Sequence, residues 1–371
     1  MAVVIGTRPE LIKLAPVIWE LRAREAHLDV VLTGQHTDMV NELLEPLDVR
    51  PTMRLAVSPT GRDLTQLTAD LFDGLGRALR ELRPDAIVVQ GDTTSALVGA
   101  TAGFYAGIPV AHVEAGLRSG DLGHPFPEEA NRRMVGTVAS WHFAPTPGAA
   151  DNLLREGVHP DRVVVTGNTV IDALLAVHGK CLGHSAFAPS TRRKLLATLH
   201  RRESQGHAME ALASTLAEVA REHDLDVVLP MHRSSAVRSA LVPHLADNPR
   251  IHLTEPLGYL DFVATMADAD LIVTDSGGVQ EEAPSLGRPV LVCREITERP
   301  EAVNAGVARL VGHDGRQLAH QARVLLTDAA TFASMTGAVN PFGDGLAAPR
   351  IVRRLLADVS TTTEARMTCS A

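Results

Sequence analysis

The chain has 371 residues, too many for one compact core and about right for two domains. Hydrophobic residues make up 45%, charged residues 21%, and mean hydropathy is +0.05, the balance of a globular chain rather than a disordered one. A net charge of −9 with only 3% aromatic residues excludes a phosphate-backbone or base-stacking footprint, so no nucleic-acid partner is expected. No apolar run reaches membrane length and no charged-then-apolar leader opens the sequence, so no membrane partner is expected and the chain reads as cytoplasmic. Cys181, Cys293 and Cys369 are odd in number and scattered, which fits neither a disulfide framework nor a metal site.

Short β-branched runs alternate with longer amphipathic ones. AVVI (2–5), DVVL (29–32), AIVV (86–89), PVAHV (109–113) and RVVVT (162–166) read as buried parallel strands, with helices over Leu11–Arg24 and Asp63–Leu82 between them. The second half repeats the style in LLATL (195–199), DVVLP (226–230), IHLT (251–254), LIVTD (271–275) and PVLVC (289–293). Two sets of βα units predict an α/β protein of two doubly wound domains, with the boundary between about Thr169 and Arg192. The polar residues from about Ser360 read as a frayed tail.

Open α/β sheets bind ligands beyond the carboxyl ends of their strands, and charged residues gather there in both halves. Arg8 follows the first strand in GTRPE, with Lys13 just over one helical turn on; Asp92 stands in GDTTS and Glu114 in HVEAGLRSG. His200 stands in HRRES and Ser276 in DSGGVQEE. In DSGGVQEE the strand ends at Asp275, two glycines allow close approach of a ligand, and a helix starts near Val279. Its amides form an anion site, and Glu282 is placed to take ribose hydroxyls. The same turn also reads as a plain N-cap by Ser276 or Asp275. Asp92 likewise reads as an Asx cap, and Glu128 and Glu129 of HPFPEEANRR as first-turn helix acids. Taken as a set, Asp92, Glu114 and Glu128 are carboxylates of the kind that divide acid and base duties. His112 is expected to buttress rather than react. No dinucleotide fingerprint, Walker motif, HExxH or GxSxG elbow is present, so a reaction with no cofactor and no metal is expected.

GTRPELIKLAPV, TGQHTDM, GDTTS, HVEAGLRSGD, PFPEEANRR, GNTVID, HRRES, TDSGGVQEEAPSLGRPVLV, TERPEAV and NPFGDG follow one another in order. Together they resemble the non-hydrolysing UDP-N-acetylglucosamine 2-epimerases, from about Val3 to Leu356. The resemblance implies a GT-B-like fold of two Rossmann-like domains with the active site in the interdomain cleft. It places them at 1–170 and 171–345, with 346–371 as a helix returning to the first domain plus the tail. It implies a homodimer acting on a UDP-sugar. It also implies Asp92, Glu114 and Glu128 as acid–base carboxylates assisted by His200. The nucleotide falls to Arg8, Lys13, Ser276, Gly277, Gly278, Glu282 and Arg299, and the uracil to Leu257 and Phe262. A second, regulatory UDP-sugar site falls on Gln35, His36, Arg62, Arg201 and His232. The pattern departs from the family at Leu199, at Arg233-Ser234-Ser235 after His232, at Glu295-Ile296, and at Asp38 in QHTDM. An added Asp38 near a diphosphate predicts weakened or absent activation.

Direct proton loss at C2 of the sugar is difficult because no carbonyl adjoins it, and oxidation would need the missing dinucleotide site. Elimination of UDP across C1–C2, followed by re-addition, avoids both obstacles and calls for acid–base groups on two faces of the sugar. A hydrolysing 2-epimerase, a GT-B glycosyltransferase and a catalytically idle sugar-nucleotide sensor are the alternatives. GTRPE with HRRES, the dense carboxylate set, and the intact carboxylates weigh against them in turn.

Overall fold

A computed structural model describes residues 1–57, 63–181, 183–200 and 206–369. The chain divides into two compact units, one of residues 1–173 with 343–371 and one of residues 174–342. In the first unit seven strands, β1 (Ala2–Ile5), β2 (Asp29–Leu32), β3 (Met53–Arg54), β4 (Ile87–Gln90), β5 (Val110–Val113), β6 (Trp141–Ala144) and β7 (Val163–Val165), form a parallel sheet in the order β3-β2-β1-β4-β5-β6-β7. The second unit has six, β8 (Lys194–Thr198), β9 (Asp226–Pro230), β10 (Ile251–Thr254), β11 (Leu271–Thr274), β12 (Val290–Val292) and β13 (Ala308–Leu310), in the order β10-β9-β8-β11-β12-β13. Each sheet reverses its strand order once, between β1 and β4 and between β8 and β11, as a Rossmann-like sheet does.

The connecting helices of the first unit are α1 (Arg8–Ala23), α2 (Thr37–Leu44), α3 (Leu64–Leu82), α4 (Thr94–Tyr105), α5 (Glu128–Val138) and α6 (Pro147–Arg155). The unit boundary falls inside α7 (Thr169–His178). The second unit then has α8 (His207–Glu222), α9 (Ser235–Leu245), α10 (Tyr259–Asp268), α11 (Gly277–Glu282), α12 (Pro300–Asn304), α13 (Gly315–Thr327) and α14 (Ala329–Thr336). The last helix, α15 (Ala347–Cys369), belongs to the first unit. It runs through the segment expected to fray, where no glycine or proline follows Pro349 to stop it.

The strands read from β-branched runs are present, with ends displaced by about one residue. Three further strands carry no such run. β3 is only two residues long, β6 is the mixed sequence WHFA, and β13 is a three-residue edge strand. All three owe their conformation to a neighbouring strand rather than to local preference. The inner strands are the core: Val3, Val4, Ile5, Ile87, Val88 and Val89 are buried in the first sheet, and Leu195, Leu196, Ile272 and Val273 in the second. Apart from Lys194 at the start of β8, every residue of β1, β4, β8 and β11 is buried because helices cover both faces.

Helix α15 is fastened to the first unit by side chains as well as by its apolar stripe of Ile351, Val352 and Leu355. The Trp141 indole donates to Asp358 at 2.7 Å, and the Arg350 guanidinium donates to the Thr166 carbonyl at 3.0 Å. At the start of the helix the buried Asp172 carboxylate accepts from the Ala347 and Ala348 amides at 3.2 and 2.8 Å. This is a cap supplied from 175 residues away in sequence. Asp172→Ala leaves those amides buried without an acceptor. It should lower unfolding free energy by about 1–2 kcal/mol, read from urea denaturation midpoints.

Candidate active site

In the first unit, the turns after β1, β4 and β5 carry the residues that the sequence singled out. After β1 the chain passes through Gly6 and Thr7 into α1. A side chain on Gly6 would place Cβ 2.0 Å from the Ser95 hydroxyl and 2.9 Å from that of Thr33, so only glycine lets this turn sit against α4. Arg8 opens α1, partly exposed, and Lys13 lies in its second turn. After β4 the chain turns at Gly91, φ 67°, into Asp92 and then Thr93, which caps α4 by accepting from the Ala96 amide at 3.0 Å. After β5 it turns at Glu114, which holds φ 63°. A left-handed glutamate is costly and persists only where its surroundings hold it.

What holds it is largely electrostatic. The Lys13 ammonium and the Glu114 carboxylate form a close ion pair, with side chains only 15% and 10% exposed. Asp92 meets the Arg132 guanidinium of α5 at 2.6 Å, and its backbone carbonyl accepts from the Asn131 amide at 2.8 Å. Burial pushes the Asp92 carboxyl above its ordinary value. Arg132 opposes this, Glu114 adds to it, Lys13 opposes it, and Glu128 adds a smaller push. Glu114, Glu128, Lys13 and Arg132 therefore all lie close enough to act on Asp92, which the motifs alone did not establish.

Beneath this group lies a carboxylate that the sequence reading treated as a helix-end acid. Glu129, one residue past Glu128, is fully buried. It accepts from the Ser119 amide at 2.9 Å and from Arg133 at 2.9 Å, and lies 3.5 Å from Arg132. Burial would raise its carboxyl, but the Ser119 amide and the two guanidiniums outweigh that and hold it below the usual range. Glu10, the glutamate of GTRPE, was also passed over. It is fully buried and accepts from the Gly6 amide at 3.0 Å, the Thr7 amide at 2.7 Å and the Thr93 hydroxyl at 2.8 Å. Burial pushes its carboxyl up to about 7 against these bonds. The capping-box spacing from Thr7 to Glu10 is the signal that could have found it.

In the second unit, α11 starts at Gly277 rather than near Val279. Ser276 is its N-cap residue, yet its side chain makes no capping bond, while its amide donates to the Thr274 hydroxyl at 2.9 Å. Arg299 lies beside Gly277, where a Cβ would be 3.5 Å from its guanidinium carbon, and it donates to the buried Glu281 at 2.6 Å. A Cβ on Gly278 would meet nothing within 4 Å, so no crowding by the described residues demands glycine there. Glu282 is buried on the same helix. His200 follows β8 and donates its amide to the buried Asp275 at 2.7 Å, with its Nδ1 3.1 Å from the other carboxylate oxygen. Leu257 precedes α10 and Phe262 stands in its first turn, both partly exposed.

The residues assigned to regulation divide. Gln35 accepts from the Ser95 amide at 3.2 Å and hydroxyl at 2.7 Å, which ties it to the start of α4. His36 is exposed at the start of α2. The His232 ring stacks on that of His200, with centroids 5.7 Å apart and planes 17° apart. Arg62 and Arg201 lie outside the described residues. Among the described residues no group of His, Cys, Asp or Glu is arranged to hold a metal, and no helix is long and apolar enough to cross a membrane.

Two Rossmann-like sheets, with charged groups at the carboxyl ends of the strands flanking each reversal, place the chain in the class of proteins built from two doubly wound α/β domains. Residues 20–356 match the family described as UDP-N-acetylglucosamine 2-epimerase. The UDP-N-acetylglucosamine 2-epimerase of Yersinia pestis is 46% identical over 364 residues, covering 95% of this chain and 97% of that protein. The crystal structure of the UDP-GlcNAc 2-epimerase from Neisseria meningitidis bound to UDP-GlcNAc aligns with a TM-score of 0.88 at 39% identity, over 96% of this chain and 99% of that one. The enzyme from Methanocaldococcus jannaschii in complex with UDP-GlcNAc and UDP aligns with a TM-score of 0.79 at 33% identity, over 96% and 99%. This chain belongs to the UDP-N-acetylglucosamine 2-epimerase family, whose members are isomerases.

Under the turns after β4 and β5 sits His112, fully buried, with Nε2 2.7 Å from the Gly91 carbonyl. A carbonyl can only accept, so Nε2 carries the proton. Burial lowers the ring's pKa to about 3, and the neighbouring buried His142 is lowered to about 4 for the same reason. The native protein keeps both rings neutral where the unfolded chain protonates them near 6.5. Stability should therefore fall as pH drops from about 6.5 toward 4, and His112→Asn should flatten part of that slope. Urea midpoints at several pH values check this; a constant offset between wild type and variant would contradict it.

Proposed function

We propose that this protein interconverts UDP-GlcNAc and UDP-ManNAc by eliminating UDP to a 2-acetamidoglucal and adding it back, without releasing free sugar. The observation that carries this reading is the group at the ends of β1, β4 and β5. There the Asp92 carboxyl is pushed toward its protonated form by burial, while Glu114 stands against the Lys13 ammonium. Environments that treat neighbouring carboxyls differently allow one to give a proton and another to take one. In the forward step a carboxylate removes the C2 proton, the C1–oxygen bond breaks, and UDP leaves with the electron pair. The C1–C2 double bond that remains is protonated at C2 from the other face as UDP re-adds at C1. Asp92, Glu114 and Glu128 supply these groups, with His200 assisting.

In this reading the nucleotide is held by Ser276, Gly277, Gly278, Glu282 and Arg299, with Leu257 and Phe262 at the uracil, and Arg8 and Lys13 as cations for the diphosphate. The lack of a side-chain cap on α11 and the space beside Gly278 support it, since amides at a helix start are suited to phosphate. So does the Neisseria relative, 39% identical, whose structure is described as bound to UDP-GlcNAc. The enzyme works as a cytoplasmic homodimer, and the replacement of the residues after His232 weakens activation by a second UDP-sugar.

Incubation with UDP-GlcNAc in D2O, followed by NMR, tests the reaction. Solvent deuterium should enter C2 of both UDP-sugars with no added cofactor. Free ManNAc with stoichiometric UDP, or product without label, would refute the proposal. The roles are tested separately. Asp92→Asn, Glu114→Gln and Glu128→Gln should each lower turnover on the order of 10²-fold or more while UDP affinity by calorimetry is retained. A near-normal rate removes that residue from the set.

A further inference from the structure

Glu10 is a titratable group that the reaction above does not use. Its carboxyl is fully buried, which is costly unless each oxygen is well employed. One oxygen, Oε2, closes the start of its own helix by accepting from the Gly6 and Thr7 amides. A capping box needs no more than this. The other oxygen, Oε1, accepts instead from the Thr93 hydroxyl, 83 residues away and next in sequence to Asp92.

Thr93 has one proton to give and gives it to Glu10, so its lone pairs face the Ala96 amide that it caps. A cap alone needs only that acceptor, which aspartate or asparagine would supply as well. The bond to Glu10 does something further. It ties the start of α1, where Arg8 stands, to the turn that carries Asp92, and these follow the two strands at which the sheet reverses. Gly6 packed against Ser95 reinforces the same seam. Asp92 is thereby held on three sides, at its carboxylate by Arg132, at its carbonyl by Asn131, and through its neighbour by Glu10.

We propose that Glu10 is a positioning residue that sets the reactive placement of Asp92 by holding Thr93. This rests on the reading of Asp92 as an acid–base group. Displacing such a group by about 1 Å is enough to cost on the order of 10²-fold in rate, so the bond would act on turnover and leave ground-state binding alone.

The test is steady-state epimerisation of UDP-GlcNAc by wild type, Thr93→Val, Thr93→Ser, Glu10→Gln and the Glu10→Gln/Thr93→Val double variant. Thermal unfolding by circular dichroism shows which of them are folded. Thr93→Val should lower kcat about tenfold or more with KM changed less than about twofold, and Thr93→Ser, which keeps the hydroxyl, should restore kcat. Glu10→Gln, whose amide has one acceptor oxygen where the carboxylate uses two, should lower kcat similarly while leaving the Thr93 cap on Ala96 in place, and the double variant should be no worse than the worse single one by more than about twofold. If Glu10→Gln does not fold, Thr93→Asp takes its place, since it keeps an acceptor for the Ala96 amide but has no hydroxyl to give to Glu10, and it should lower kcat as Thr93→Val does; a normal kcat would overturn the proposal. Thr93→Val with normal kcat, Thr93→Ser as impaired as Thr93→Val, a change confined to KM, or multiplying effects in the double variant would each overturn the proposal. Wild type that fails to exchange hydrogen at C2 in D2O would instead refute the acid–base reading of Asp92, which separates the two failures.

Discussion

Strands β1, β4 and β5 run parallel and end at one edge of the first sheet, so three consecutive turns must leave the sheet side by side. The chemistry rests on how that crowding is resolved. Gly91 and Glu114 both turn the chain through left-handed conformations directly after their strands. The His112 ring, buried between them in sequence, clamps the first turn through the Gly91 carbonyl. Asp92 and Glu114 can stand at the edge, rather than fold back into the sheet, because these turns are pinned from below. The strain of a left-handed glutamate is of the order of 1–2 kcal/mol, and its side chain is paired with Lys13.

Charge is then arranged around those turns by alternation. Lys13 faces Glu114, and Arg132 faces Asp92 while leaning on Glu129 beneath. Neither Glu129 nor Glu10 reaches solvent, but Glu10 lies deeper in the protein, and the two carboxyls are displaced in opposite directions. Glu129 has two guanidiniums and the Ser119 and Gly120 amides, enough to outweigh burial. Glu10 has only neutral donors, and these are not enough. Adjacent glutamates also part ways. Glu128 stands partly exposed at the first position of α5, whereas Glu129 serves as the floor that holds the arginines and the loop at Ser119.

The second unit repeats the sheet pattern with different residues at its reversal. Its reversal point carries a short helix opened by two glycines, with Arg299 braced against Glu281 and His200 braced against Asp275. Here the helix opens on small residues, Ser276, Gly277 and Gly278, while Arg299 and His200 come from neighbouring loops and their partners Glu281 and Asp275 from the helix and the turn before it. That suits binding an anion more than moving a proton.

By itself the sequence determined the alternation of strands and helices, because a buried parallel strand needs a β-branched run and its helix needs an amphipathic one. It also determined that charged residues gather at strand ends, and its ordered motifs carried the family. β3, β6 and β13 were not legible, since each is strand only because a partner strand is already there. Nor was the difference between Glu128 and Glu129, which are neighbours of one type on one helix turn. Burial and partners separate them, and those come from residues far away in sequence. Glu10 shows the same limit. Its spacing from Thr7 announces a helix cap, but its bond to Thr93 exists only because β1 and β4 pair in the sheet and bring two distant turns together.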